Sequence, residues 1–227
     1  MNKVLFFDID GTLVSFNTHT VPESAVEALQ TAHDLGNKII ISTGRPYAII
    51  NNLHELQDRN LIDGYITMNG AYCFISNDVI YKSPVPHDEV MTLGSICRKN
   101  GFPCIVVGED HLKVVQPDEE VRKIFYEYLN VDKIPETTFE DAGKDDVYQL
   151  TPFFDALQQK TIEPLMPGCE FSRWYPTFVD VTAKGNNKAH GVKVMLDRLG
   201  MPLESSVAFG DGGNDIPMLR EAAVGVA

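Results

Sequence analysis

A short apolar run followed by two acids and a glycine constrains the fold of this chain more than any other segment. Residues 4–7 are all apolar, as is typical of a buried parallel strand, and Asp8-Ile9-Asp10-Gly11 follows directly. Gly11 ends the strand, so both carboxylates are expected at its carboxyl end, where open α/β sheets bind their ligands. Residues two apart in an extended segment point to the same side. Because two such acids repel each other, the segment indicates either a metal and phosphate site or an acidic strand end with a glycine turn.

Three later segments carry polar residues that suit the first of these alternatives. Residues 39–41 form an apolar β-branched run that ends in Ser42-Thr43-Gly44-Arg45. Lys188 lies at the start of a helical pattern. Residues 207–209 form a predicted strand that opens into the acidic glycine loop Gly210-Asp211-Gly212-Gly213-Asn214-Asp215. The ordered set favours the metal and phosphate site over the acidic turn.

In this order, the four motifs resemble those of the haloacid dehalogenase (HAD) superfamily of phosphatases. Together with Met68-Asn69-Gly70-Ala71, they are most similar to the Cof-type subfamily, especially to sugar-phosphate phosphatases of Bacteroides-type bacteria. The resemblance covers residues 1–227. It implies a Rossmann-like HAD core, an α/β cap domain inserted between the second and third motifs, and phosphoric monoester hydrolase activity on small phosphorylated metabolites such as hexose phosphates.

The predicted elements indicate an α/β fold with a doubly wound parallel sheet, because strands and helices alternate at first. We predict helices at residues 22–36, 46–57 and 117–129 and a hairpin at residues 72–81. At Ser83-Pro84-Val85-Pro86 the pattern changes to helices mixed with paired strands. We therefore predict a first part of the HAD core at 1–83, the cap at 84–182 and a second part of the core at 183–227. Cof-type proteins usually continue with a last strand and helix, so the resemblance leads us to expect a truncated chain.

Composition argues against several classes of partner. The net charge of −13 disfavours nucleic acid or an anionic membrane surface as the main partner, whereas 44% apolar residues are enough to build a core. No apolar run is long enough for a signal peptide or a membrane span. The four cysteines lack metal-site spacing, which indicates reduced thiols. We expect a cytoplasmic protein, a monomer or small homo-oligomer, whose partner is a small-molecule phosphate ester.

The demands of phosphate ester hydrolysis suggest roles for the acids. Because the unaided reaction is extremely slow, a carboxylate that attacks phosphorus and forms an acyl phosphate divides the task into two steps. We assign Asp8 as the nucleophile, which the resemblance also implies. Asp10 would protonate the leaving alcohol and then take a proton from water. The crowded carboxylates require a cation, and we predict that Mg²⁺ is held by Asp8, Asp211 and the backbone carbonyl of Asp10.

The second and third motifs supply candidates for phosphate contacts. Thr43 offers a hydroxyl donor and Lys188 a compact positive charge, and Gly44 belongs to the same predicted site as Thr43. Lys184 is a rival for the lysine, but the resemblance favours Lys188, which follows a Lys-Gly turn just inside a helix. Arg45 either makes a forked contact to the phosphate or is a solvated arginine at a helix start.

The remaining candidates have one functional and one structural interpretation each. Asn69 contacts the phosphate or leaving group, as its match to the family segment implies, or forms a simple turn. Asn214 and Asp215 are predicted to hold the metal waters and Lys188 in place, with direct ligation of the metal by either as an alternative, and Asn214 is also assigned to the phosphate and substrate site. The structural interpretation of this loop is an acidic helix start. In the cap, Arg173, Trp174 and Tyr175 either recognise a sugar or belong to the cap core.

Two other activities use similar residues. A receiver module also combines a phosphoacceptor aspartate, Mg²⁺, a threonine and a lysine, but it would not need Asp10 as an acid and would lack a domain-sized insert. A phosphomutase or phosphotransferase would use the same aspartyl phosphate. Only the exclusion of water would separate it from a hydrolase, and the sequence leaves that alternative open.

Overall fold

The structure, a computed structural model, describes residues 2–15 and 17–227. The chain forms two compact units. The first comprises Met1–Arg45, Asn52–Lys82 and Asn186–Ala227, and the second comprises Pro46–Asn51 and Ser83–Gly185. The function of the second unit as a cap stays a prediction.

Twelve strands and eight α-helices are present in the described residues. The strands are β1 Val4–Phe7, β2 Lys38–Ser42, β3 Gly64–Thr67, β4 Tyr72–Ile75, β5 Asp78–Lys82, β6 Cys104–Val107, β7 Leu112–Val115, β8 Gln149–Pro152, β9 Cys169–Tyr175, β10 Phe178–Ala183, β11 Ser206–Phe209 and β12 Val224–Val226. The helices are α1 Glu23–Asp34, α2 His54–Asp58, α3 His87–Asn100, α4 Glu119–Val121, α5 Phe139–Ala142, α6 Ala156–Ile162, α7 Lys188–Leu199 and α8 Ile216–Glu221.

The first unit is built on a seven-stranded sheet with the order β12-β11-β1-β2-β3-β4-β5. The five strands from β12 to β3 are parallel, and β4 and β5 form an antiparallel hairpin at one edge. Strand order runs outwards from β1 in both directions, so β1 lies at the point where an open α/β sheet binds its ligands. The predicted doubly wound α/β fold is confirmed.

Alternation along the strands decides which side chains form the core of the first unit. Val4 and Phe6 of β1 point to the same face, and they pack there with Ile40 of β2 and Ile66 of β3. Apolar residues of α7 and α8 cover this face, among them Val192, Met195, Leu196 and Met218. The apolar run that predicted a buried strand is thus buried because a helix layer lies on it.

The second unit has a five-stranded antiparallel sheet with the order β7-β6-β8-β10-β9. One face packs on α3, α5 and α6 through an apolar cluster that includes Val106, Leu150 and Val181. Cys73, Cys97, Cys104 and Cys169 are all buried and unpaired, as predicted, and burial raises the pKa of the Cys73 thiol to about 12.

Two predicted helices differ from the structure. The predicted helix at residues 46–57 is wrong as a single element, because Tyr47–Ile49 is a 3₁₀ turn and Ile50 is extended, so α2 begins only at His54. The β-branched pair before Asn51-Asn52 disfavours a continuous helix. The helix predicted at residues 117–129 forms, but beyond α4 it continues as the π-helix Arg122–Tyr128. In the part of the chain that the structure describes, no helix has the length and apolar content that a bilayer crossing requires.

Candidate active site

The loop after β1 brings its two acids to the carboxyl edge of the parallel strands. The Asp8 amide donates to the carbonyl of Phe209 at 3.0 Å, which extends the pairing of β1 with β11 by one residue. Gly11 has φ +95°, and a Cβ atom there would lie 2.2 Å from Oδ2 of Asp211. Glycine is therefore required at position 11 both for the backbone turn and for the close approach of Asp211.

The amide of Gly11 takes part in the same turn. The Gly11 amide donates to the carbonyl of Val14 at 3.0 Å, and the Val14 amide donates to the carbonyl of Ile9 at 2.8 Å. The Gly11 N–H is thus occupied within its own turn. Gly11 shapes the loop, and any amide contacts to a phosphoryl group must come from other residues.

Asp215 supports the loop that carries Asp211. Its Oδ2 accepts from the amides of Asp211 at 3.1 Å and Gly212 at 2.8 Å, so the carboxylate closes the turn after β11. Its Oδ1 accepts from Nζ of Lys188 at 2.5 Å. Because both oxygens of Asp215 have partners, it holds Asp211 and Lys188 in place. The contact to Lys188 agrees with the expectation from the sequence, and the support of metal waters stays a prediction.

Lys188 is fully buried and bridges the two ends of the site. Its ammonium group donates to Oδ1 of Asp8 and to Oδ1 of Asp215, each at 2.5 Å. The rival Lys184 lies in the second unit, where its side chain is 67% exposed and 3.7 Å from Glu170. The choice of Lys188 over Lys184 therefore agrees with the structure.

Two glycines allow α7 to place Lys188 so close to the strand ends. A Cβ atom at Gly70 would lie 2.3 Å from the carbonyl oxygen of Asn187, the residue that caps α7. A Cβ atom at Gly191 would lie 2.4 Å from Ile66 in β3. Larger side chains at either position would push the start of α7 away from the site.

Burial and neighbouring charges shift the pKa values of Asp8 and Lys188. Burial raises the pKa of the Asp8 carboxyl to about 7, with Asp215 and Asp10 adding to the rise and Lys188 opposing it. Burial alone would lower the pKa of Lys188, but Asp8 and Asp215 outweigh it and raise that pKa. Lys188 thus stays charged and is shared by two carboxylates.

Three acids are placed where they could surround a cation. One oxygen each from Asp8, Asp211 and Asp215 lies within 4.8 Å of the others. Lys188 takes one oxygen of Asp8, and the Thr12 hydroxyl donates to Oδ1 of Asp211 at 2.9 Å, which leaves a second oxygen on each acid. Asp215 belongs to this set by distance, although both of its oxygens already accept hydrogen bonds.

Thr43 is oriented by its own loop. Its amide donates to the carbonyl of Ile66 at 2.8 Å, and its buried hydroxyl oxygen accepts from the amide of Arg45 at 3.0 Å. The hydroxyl hydrogen is then available for a phosphoryl oxygen. Gly44 lies between these two residues in the buried loop.

Arg45 makes a contact that the sequence did not indicate. The residue is only 5% exposed, and its Nε and Nη2 donate to Oδ2 and Oδ1 of Asp10, each at 2.7 Å. The alternative of a solvated arginine is wrong. Its binding of phosphate stays a prediction, and the fork of the guanidinium holds the second acid of the first motif instead.

Asn69 lies in a strained turn and also reaches the site. Met68 and Asn69 have φ values of 50° and 51°, followed by Gly70 at 93°. The left-handed region is unfavourable for Met68, whereas asparagine and glycine adopt it more readily. Asn69 is fully buried, and its Oδ1 accepts from Nδ2 of Asn214 at 3.1 Å. The turn is therefore present, and it brings Asn69 to Asn214. The contact of Asn69 with the phosphate or leaving group stays a prediction.

The cap candidate Arg173 serves the second unit itself. Its guanidinium donates to the backbone carbonyls of Phe154, Pro176 and Phe178 at 2.8–3.0 Å. The indole of Trp174 donates to Oδ2 of Asp180 at 3.0 Å. These contacts support the structural interpretation of Arg173.

Comparisons with known proteins cover nearly the whole chain. The family model described as haloacid dehalogenase-like hydrolase matches residues 5–227. The protein YkrA of Bacillus subtilis (strain 168) is 30% identical over 232 residues, which are 100% of this chain and 86% of that protein.

Two solved structures have the same fold over nearly the full length. The HAD subclass IIB sugar phosphatase BT4131 is 57% identical with a TM-score of 0.96, over 98% of this chain and 85% of that one. The phosphatase BT1666 of Bacteroides thetaiotaomicron is 36% identical with a TM-score of 0.88, over 100% of this chain and 84% of that one.

Proposed function

Because this chain belongs to the haloacid dehalogenase-like hydrolases, we propose that it is a Mg²⁺-dependent phosphatase of small sugar phosphates, hexose phosphates foremost. Membership confirms the resemblance, the fold class and the prediction of an enzyme of the HAD phosphatase type. The observation that carries the proposal is the convergence of Asp8, Lys188, Asp211 and Asp215 at the carboxyl edge of the sheet. Its cytoplasmic location and its monomeric or small oligomeric state stay predictions.

In the first step one carboxylate oxygen of Asp8 attacks phosphorus, while the other keeps the contact to Lys188 and would hold the cation. The phosphorus–oxygen bond to the sugar breaks, and its electron pair goes to the sugar oxygen, which takes a proton from Asp10. An aspartyl phosphate on Asp8 and a free sugar hydroxyl result. Lys188 and the Thr43 hydroxyl donate to the phosphoryl oxygens, where charge develops.

In the second step a water molecule attacks the aspartyl phosphate. Asp10, now ionised, takes a proton from this water, and the bond between phosphorus and Asp8 breaks. Inorganic phosphate leaves, Asp8 regains its carboxylate, and Asp10 carries the proton that the next cycle requires. Both steps therefore use the same two acids, which supports the roles assigned to Asp8 and Asp10.

The charges of the site fit a divalent cation. The salt bridges pair Asp8, Asp10 and Asp215 with Lys188 and Arg45, and Asp211 adds a fourth carboxylate. The excess is two negative charges when all four acids are ionised and one when Asp10 carries its proton. Oxygen donors at this spacing are what Mg²⁺ prefers. We propose Asp8 and Asp211 as ligands with the Asp10 carbonyl, and Asp215 and Asn214 as their supports. When bound, Mg²⁺ supplies positive charge to the phosphoryl oxygens and orients them.

The sugar phosphate class has support from one neighbour. BT4131, which is 57% identical over 98% of this chain, is described as a sugar phosphatase. At that identity we extend the class of substrate to this chain, without choosing among sugars.

The test is the release of free phosphate by the purified protein from a set of hexose and pentose phosphates. We expect turnover with Mg²⁺, its loss in chelator and its return when Mg²⁺ is restored. Product analysis distinguishes the alternative, because a phosphomutase would yield an isomeric sugar phosphate in place of free phosphate. Full activity in excess chelator would contradict the proposed metal dependence, and no turnover of any ester would contradict the proposed function.

A further inference from the structure

Arg45 and Asp10 form a two-pronged ion pair inside the site. Both distances are 2.7 Å, the arginine is 5% exposed and the side chain of Asp10 is 15% exposed. A planar guanidinium that meets both oxygens of a carboxylate fixes its position and its orientation, which a single hydrogen bond cannot do. The pair is therefore a geometric constraint on Asp10.

The backbone around Arg45 is itself held. Its amide donates to the Thr43 hydroxyl at 3.0 Å, and its carbonyl accepts from the Met68 amide at 3.3 Å. On the other side, Asp10 sits in the turn that Gly11 allows, and Asp10 pairs with Val14 in a short β-bridge. Backbone contacts thus fix both the loop that carries Arg45 and the turn that carries Asp10.

From this geometry we infer that Arg45 is the positioning residue of Asp10 in the proposed phosphatase reaction. Its function is to aim the Asp10 carboxyl at the oxygen that leaves and at the water that attacks. When Asp10 is protonated, one oxygen can still accept from Arg45 while the other carries the proton, so the arginine guides both steps. The inference rests on the proposed function and concerns one residue within it.

Esters with different leaving groups distinguish the positioning of Asp10 from the binding of phosphate. A residue that binds the phosphoryl group contributes to the reaction of every ester, whatever alcohol leaves. The parameter kcat/KM includes only the steps up to the first irreversible one, which here is formation of the aspartyl phosphate. In that parameter, a residue that positions the acid matters only when the leaving oxygen needs a proton. A sugar alkoxide needs one, whereas a dinitrophenolate departs without one, so the two kinds of ester distinguish the roles.

The experiment measures kcat/KM of Arg45→Gln with a hexose phosphate and with dinitrophenyl phosphate. We expect about a 100-fold loss with the sugar ester and less than about a tenfold loss with the aryl ester, because proton transfer by a positioned group contributes about 10²–10⁴-fold. Equal losses with both esters in Arg45→Gln would overturn the inference.

Two controls address folding and charge. Arg198→Gln removes an arginine that pairs with Asp78 at 2.8 Å on the exposed surface of the same unit, and it should leave both rates unchanged. Arg45→Lys keeps the charge but offers no fork, so it should show the same dependence on the leaving group in smaller measure. If Arg45→Gln does not fold, the ratio of the two esters in Arg45→Lys decides the question, and a ratio equal to that of the unmodified protein would overturn the inference.

A double-mutant cycle tests whether Arg45 acts through Asp10. In an Asp10→Asn background, Arg45→Gln should cause almost no further loss with the sugar ester, because the acid that it positions is gone. Losses that multiply would show an independent role and overturn the inference. Failure of the unmodified protein to hydrolyse any ester would instead overturn the proposed function.

Discussion

Buried carboxylates occur in both units of the molecule, but their partners differ. In the first unit, Asp8 and Asp215 share the single ammonium group of Lys188, with Asp211 close by. In the second unit, Asp180 accepts from the Gln149 amide, the Thr151 hydroxyl and the Trp174 indole on neighbouring strands. One arrangement crowds several charges together, and the other surrounds one charge with neutral donors.

The difference indicates what each region is built for. Hydrogen bonds from neutral donors can stabilise a buried carboxylate and tie strands together, as Asp180 does for β8, β9 and β10. Several acids around one lysine leave an uncompensated charge, which costs stability unless a cation binds. The uncompensated negative charge of the first unit therefore suits the proposed binding of a metal and a phosphate ester. The three donors to Asp180 suit a structural role.

The largest expected effect comes from Asp8→Asn. The nucleophile is lost, so kcat/KM with sugar phosphates should fall by at least about 10⁴-fold, the order seen when a nucleophile is removed. The fold should survive, since the change removes one of several crowded charges. Steady-state kinetics and circular dichroism measure both results, and Asp78→Asn, an exposed aspartate of the same unit, is the control. Substantial Mg²⁺-dependent activity in Asp8→Asn would refute the assignment.

Lys188→Met should cause the largest loss of folding stability. It leaves two buried carboxylates without their shared cation, and breaking a buried ion pair costs about 3–5 kcal/mol in unfolding free energy. Lys184→Met is the matched control, because this exposed lysine is its rival in the sequence and should lose almost nothing. Chemical denaturation in chelator compares the two. Equal stability of both variants would contradict the bridging role of Lys188.

Much of the site could be predicted because its signals are local. An apolar run followed by acids marks a strand end, and alternating strands and helices imply a parallel sheet whose carboxyl ends share one edge. Asp8, Asp211 and Thr43 were therefore expected on one edge of the sheet, and the resemblance to the family added Lys188. The geometry agrees with that expectation, although the catalytic role of each residue stays a prediction.

The contacts between loops could not be predicted in the same way. The pairing of Arg45 with Asp10 and of Asn214 with Asn69 depends on side-chain distances across turns, and no spacing in the sequence encodes them. Met68 gives no sign of its φ of 50°, because only glycine and asparagine commonly signal the left-handed region. The interrupted helix before His54 likewise depends on the extended backbone at Ile50.

Metal binding should stabilise the first unit. The increase in stability should depend on the acids of the proposed metal site and not on acids of the second unit. At a Mg²⁺ concentration about 100 times the dissociation constant, the unfolding free energy should rise by about 2.7 kcal/mol. Asp211→Asn should abolish this increase, whereas Asp180→Asn in the second unit should keep it while lowering the baseline stability. Thermal unfolding with and without Mg²⁺ gives the measurement. A full increase in Asp211→Asn would remove this residue from the metal site.

The smallest effect is expected at Arg173. Its substitution distinguishes the two interpretations of this residue, recognition of a sugar or a structural role in the second unit. Its guanidinium donates to the carbonyls of Phe154, Pro176 and Phe178, so Arg173→Met should lower the unfolding free energy by about 1–3 kcal/mol through unpaired acceptors. Relative kcat/KM values among sugar phosphates, with an aryl phosphate for comparison, should stay the same within about twofold, because a residue that serves its own fold does not distinguish leaving groups. Lys160→Met, at the end of α6, supplies a control for the loss of a cation from the same unit. A selective change for one sugar would restore the alternative in which Arg173 recognises the substrate.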